Sequence, residues 1–147
     1  MSSRWLRLAL LLLAGNELLV GLCALTLPRS FYTEFPTGTG WVALLPPYNE
    51  HLVRDVGGLS LGFAVLLAAA ALRPQPTLTR VAMLAWLAAA VPHLAFHLTH
   101  LDGFSAGDAL AQSGGLILAV FVPTWVLVPD LRANRGTAVP VEPHHLS

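Results

Sequence analysis

The chain has 147 residues, of which 55% are apolar and 11% charged, and its eight basic residues, all arginine, balance eight acids. A soluble globular domain averages about 25% charged residues, so this chain cannot cover its surface with polar groups, and no net field attracts an anionic polymer. An ordinary cytosolic enzyme, a disordered chain and a nucleic-acid binder are thereby excluded. The single cysteine, Cys23, rules out an intramolecular disulfide.

A bilayer core of about 30 Å needs roughly 20 apolar residues per helix. Four stretches meet this: 5–27, 49–72, 81–101 and 106–128. Pro28 closes the first, Arg73-Pro74-Gln75-Pro76 separates the second from the third, Asp102-Gly103 follows the third, and Pro129-Asp130 ends the fourth. The first stretch is too long for a signal peptide, is interrupted by Asn16-Glu17 and lacks a small-residue cleavage site, so it is expected to be retained as a span. The connection from Pro28 to Tyr48 carries Trp41 to Pro47, too short to cross and suited to an interfacial cap. Residues 130–147 lack an apolar period and read as a disordered tail.

Arginine placement sets the expected orientation. Arg4, Arg7, Arg73, Arg80, Arg132 and Arg135 all fall on one side, against Arg29 on the other, which puts both termini in the cytoplasm. The fold class is therefore an all-α integral membrane four-helix bundle formed by residues 1–129; the bacterial inner membrane as its location is what the resemblance given below implies.

Ionisable groups inside spans are costly and usually face the bundle interior. The ionisable and other polar residues here are Asn16 and Glu17 in the first span, Glu50, His51, Arg54 and Asp55 in the second, His93, His97 and His100 in the third, and Asp108, Gln112 and Ser113 in the fourth. Counting from the outer span ends, Glu17 lies roughly 15 Å deep, Asp55 ~9 Å and His93 ~12 Å. All four helices are thus expected to bring polar groups to one zone in the outer half of the bundle. At 100° per residue the three histidines occupy an arc of about 60°, and Glu50, His51, Arg54 and Asp55 one of about 140°. Gly57, Gly58 and Gly62 share the latter face, so the charged face is expected to be the packed one, with Leu52, Val53, Val56, Leu59 and Phe63 turned to lipid. Pro92 frees the carbonyl of Ala88 beside the histidines, whereas Pro123 reads as a plain kink.

Three chemistries fit this pattern. Histidines at i, i+4 and i+7 with a carboxylate from another helix suit zinc or non-haem iron. Glu50–Arg54 and His51–Asp55, each i, i+4, suit an ion-pair network that locks helix packing, with Glu17 reaching Arg54. Histidines beside carboxylates also suit a proton or small-ligand pathway. No Ser/His/Asp hydrolase, P-loop or dinucleotide signature is present.

The segment Arg54-Asp55-Val56-Gly57-Gly58-Leu59-Ser60-Leu61-Gly62, in a four-span chain with an early intramembrane glutamate, resembles the DoxX-like small bacterial membrane proteins. The likeness covers the span pattern of residues 5–128, and its sharp part is Arg-x-x-Gly-Gly-x-x-x-Gly. It implies a four-helix fold and a link to quinone-coupled or thiol-redox membrane complexes. It implies nothing for the histidines. The expected function is a small multi-pass protein with a polar pocket of Glu17, Glu50, His51, Arg54, Asp55, Asp108 and Gln112, a metal position at His93, His97 and His100, and a membrane redox partner or a second copy as its associate. The alternative is an accessory subunit whose polar cluster only locks packing.

Overall fold

Prolines and small polar residues set most of the helix boundaries. The structure, a computed structural model, describes residues 3–45 and 47–135, and side chains within 4–45 and 47–127. Among these residues it is all-helical: α1 (Ser3–Thr26), α2 (Pro28–Glu34), a 3-10 turn (Trp41–Leu44), α3 (Glu50–Leu72), α4 (Pro76–Thr99) and α5 (Ala106–Arg135). Four of these are long and apolar enough to cross a membrane, over Arg4–Thr26, Glu50–Leu72, Pro76–Thr99 and Ala106–Leu127. Leu12, Leu19, Leu59, Val65 and Leu110 are all more than half exposed on them, a surface that water would not tolerate.

The differences from the expected spans have local causes. Pro28 closes α1 but also opens α2, because its fixed φ suits the first helical position. Pro76 does the same for α4, which therefore starts five residues before the apolar run at Val81. Asn49 caps α3 by accepting from the Leu52 amide at 3.3 Å. Ser105 caps α5, accepting from the Asp108 amide at 3.1 Å. The backbone of α5 continues past Pro129 to Arg135, into the first residues of the expected tail; residues 136–147 lie outside those described. Of the expected interfacial cap, Trp41–Leu44 form the 3-10 turn, and Pro46 is not among the described residues. Gly40 precedes the turn at φ +65°, and a Cβ there would meet the Thr33 carbonyl oxygen at 2.7 Å, so only glycine fits.

The helices associate as two pairs. α1 runs along α3, the most extensive contact in the molecule, and α4 runs along α5. The pairs join near the α3–α4 turn, around Leu10, Ala14, Leu67, Ala70, Ala71, Ala82, Met83, Trp86 and Leu127. Small residues bring α1 and α3 together: a Cβ on Gly57 would lie 2.7 Å from the Leu25 amide nitrogen. Trp86 joins the pairs. Its ring meets Phe63 of α3 edge-on at 6.1 Å, and its indole N–H donates to the Ala119 carbonyl of α5 at 2.8 Å. That carbonyl is the one Pro123 leaves without a helical donor, so Pro123 does more than bend α5.

The packed face of α3 differs from the expected one. Its buried stripe is Gly57, Ser60, Ala64, Leu67 and Ala71, and Phe63 points inward at Trp86. Gly58 and Gly62 face open space, and the His51 and Asp55 side chains are 82% and 53% exposed. The reason is that α1 approaches along Gly57, and His51, Asp55, Gly58 and Gly62 lie on the flank turned away from it.

Candidate polar site

The end of the bundle at which α1 and α4 finish and α3 and α5 begin is covered by α2 and the 3-10 turn. The polar side chains near this end form separate groups, not the single expected constellation.

The first group holds the end of α1 to the start of α3. Arg54 Nη2 lies 2.9 Å from Glu50 Oε1, and Arg54 Nη1 donates to the Leu25 carbonyl oxygen. Leu25 belongs to the last turn of α1, where carbonyls lack helical donors and a cation is favoured. The Tyr48 hydroxyl donates to Glu50 Oε2 at 3.3 Å, and the Arg29 guanidinium lies over the Tyr48 ring at 5.4 Å. Desolvation, and then the Glu50 carboxylate, raise the Tyr48 phenol above its ordinary value. His51 and Asp55 pair with each other at 3.3 Å on the outward flank. These four charged residues were expected in a pocket; they instead pair along their own helix or close a helix end.

The second group fixes the turn over the start of α5. Ser105 donates to Asp108 Oδ2 at 2.7 Å, and the Trp41 indole N–H donates to Asp108 Oδ1 at 3.0 Å. Asp108 therefore sits in a capping arrangement at a helix N-terminus, where a carboxylate is favoured, and not in the expected ligand pocket. The Ser-x-x-Asp spacing is legible in the sequence, whereas the tryptophan partner, supplied by another element, is not.

Two further groups face inward. Glu17 lies within hydrogen-bonding reach of Ser60 of α3 and accepts from the Asn16 side-chain amide at 3.2 Å. It shows no ion pair with Arg54, whose guanidinium is engaged about one helix turn from the end. His97 and Gln112 are each only 7% exposed and lie within hydrogen-bonding reach of each other across α4 and α5. The His93 ring meets His97 edge-on at 4.5 Å.

His100 leaves this line. It is the residue at which α4 ends, its ring stacks on Phe96 at 4.0 Å, and its Nδ1 lies 2.8 Å from the Phe96 carbonyl oxygen. It faces an open cavity of about 240 Å³ lined by Leu44, Leu45, His100 and Asp102. The helical wheel assumed regular α-helix to residue 101, and the helix stops at Thr99. Among the described residues no three His, Cys, Asp or Glu side chains gather as a metal site. The histidine triad expected for zinc or iron is not assembled, because one of its members is turned onto a phenyl ring.

Ser60 was read only as part of a glycine-rich segment, yet it is 7% exposed and central. The signal is its spacing: Ser60 is seven residues before Leu67, Glu17 seven after Leu10, and Gln112 eleven before Pro123. Separations of 7 and 11 each return a helix to within ~20° of the same face. Leu10, Leu67 and Pro123 are the fully buried anchors of α1, α3 and α5, and His97 stands eleven residues after buried Trp86 on α4. Ser60, His97 and Gln112 are thus buried polar side chains on the inward faces of α3, α4 and α5, and Glu17 stands half-buried on that of α1. Comparison of the chain with family models, with curated proteins and with solved structures gives no match.

Proposed function

We propose that the chain is a multi-pass protein of the bacterial inner membrane, with both termini cytoplasmic, that binds a small polar molecule among its helices in the periplasmic half. One observation carries this reading: Ser60, His97 and Gln112 are buried and Glu17 is half-buried on the inward faces of the four long helices, inside a chain whose outward surfaces are apolar. Buried polar groups in a membrane bundle are expensive unless they serve a pathway or a ligand. Arginine placement supports the orientation. The likeness of residues 54–62 to DoxX-like proteins supports a redox-linked setting, with a membrane redox partner or a second copy as associate.

The accessory-subunit reading has its own support in the covered end. Arg54, Glu50, Ser105 and Asp108 are each engaged in closing a helix terminus, so these polar groups lock packing and are not offered to a ligand.

Cysteine accessibility in a Cys23→Ala background separates the two. With a membrane-impermeant thiol reagent applied from the periplasm, Thr39→Cys labels and Gln75→Cys does not, if the orientation holds. Ser60→Cys and Gln112→Cys label from the same side, whereas Ala70→Cys and Ala82→Cys stay protected. Protection of Ser60→Cys and Gln112→Cys equal to that of Ala70→Cys removes the pocket and leaves the packing lock.

A further inference from the structure

His97 and Gln112 are 7% exposed, yet His97 Nδ1 and Gln112 Oε1 are both fully enclosed and without a hydrogen-bond partner of acceptable geometry. Buried side-chain polar atoms are overwhelmingly paired, and each one left unpaired costs about 1–3 kcal/mol. The cost is higher where no bulk water can reach.

The surroundings limit what can complete the pair. His97 is flanked by the His93 ring at 4.5 Å and the Phe96 ring at 5.8 Å, and among the described residues no carboxylate or guanidinium hydrogen-bonds either orphaned atom. A cation would enter without a counter-charge, and an anion would face the lone pairs of Oε1; both are costly in a low dielectric. The amide oxygen accepts only, so the missing group must donate. The imidazole Nδ1 either donates or accepts according to tautomer, and a hydroxyl group answers both.

We propose that the α4–α5 interface at His97 and Gln112 is a binding position for one neutral hydroxyl group, which donates to Gln112 Oε1 and hydrogen-bonds His97 Nδ1. The group belongs either to a trapped water or to an alcohol-bearing molecule. This deepens the ligand-binding reading by naming the chemistry taken at one of its positions. His93 is exposed and its ring meets that of His97 edge-on.

The test uses the full chain in lipid nanodiscs with ¹⁵N-labelled histidine, the His97 resonances being assigned by their loss in His97→Asn. Cross-relaxation from the His97 ring to a bound water is expected. Titration with n-butanol then separates the sources: replacement of the water signal by butanol methylene signals identifies a site that accepts organic alcohols, and persistence of the water signal identifies a water site. Either outcome supports the hydroxyl position. Contact with neither water nor butanol overturns it, and means that the two side chains satisfy each other directly.

Gln112→Leu gives an independent reading of the same claim. If a hydroxyl completes the pair, the substitution strands His97 and the thermal midpoint falls by roughly 2–8 °C. A raised midpoint, as expected when a truly unpaired polar group is replaced by an apolar one, refutes the proposal. The two readings fail separately: unreactive cysteines at positions 60 and 112 remove the pocket, whereas reactive cysteines without hydroxyl contact at His97 remove only this inference.

Discussion

Gly57 and Gly58 are neighbours in sequence, and substituting each by alanine should act in opposite directions. A Cβ on Gly57 lies 2.7 Å from the Leu25 amide nitrogen, 3.1 Å from the Ala24 carbonyl carbon and 3.1 Å from the Gly21 carbonyl oxygen. All three are backbone atoms of α1, so no side chain can swing aside. Ordinary contact begins at 3.4 Å, so the tightest of these requires α3 to withdraw from α1 by about 0.7 Å. The withdrawal loosens the longest interface in the molecule and draws Arg54, one turn away, from the Leu25 carbonyl. Overpacking of this kind costs about 1–3 kcal/mol. A Cβ on Gly58 meets nothing within 4 Å, and there alanine gains up to about 1 kcal/mol of helix propensity. Unfolding in mixed micelles, followed by circular dichroism, should therefore show Gly57→Ala below the parent and Gly58→Ala at or above it. Equal effects at the two positions, or a Gly57→Ala protein as stable as the parent, would refute the close α1–α3 approach.

Other outcomes follow from the same packing. Trp86→Phe keeps the ring contact with Phe63 but removes the donor to Ala119, and should cost about 1–3 kcal/mol in the same unfolding assay. Arg54→Met removes the cation from the end of α1 and frees Glu50; because both side chains are about half exposed, the expected loss is only ~1 kcal/mol, measured as a lower thermal midpoint. Glu50→Gln should lower the titration of the Tyr48 phenol, since it removes a negative neighbour that disfavours tyrosinate while Arg29 and Arg54 remain. Ultraviolet difference spectra in a Tyr32→Phe background measure that shift. Ser105→Ala should destabilise the start of α5 by about 1 kcal/mol, seen as faster amide exchange at Asp108.

The four long helices were legible because span length and apolar content depend on composition alone. The start of α4 at Pro76 and the existence of α2 were not, since there proline geometry, and not hydropathy, decides where helix begins. The polar site was legible only by residue type. A helical wheel orders side chains around one axis but carries no information on which flank the neighbour approaches. Gly57 and Gly58 lie only 100° apart on the wheel, and α1 chose the former. That choice turned His51 and Asp55 outward and brought Ser60 in. His100 was misplaced for a different reason: a helix end breaks the wheel, and α4 ends at Thr99.

Proline in a transmembrane segment is often counted as tolerated damage. Here the missing amide of Pro123 is what makes the Ala119 oxygen available, and the indole of Trp86 takes it up at 2.8 Å. The two residues therefore form a covenant between separate helices. Restoring an amide at position 123 would give that oxygen a second donor, from its own helix, alongside the buried indole.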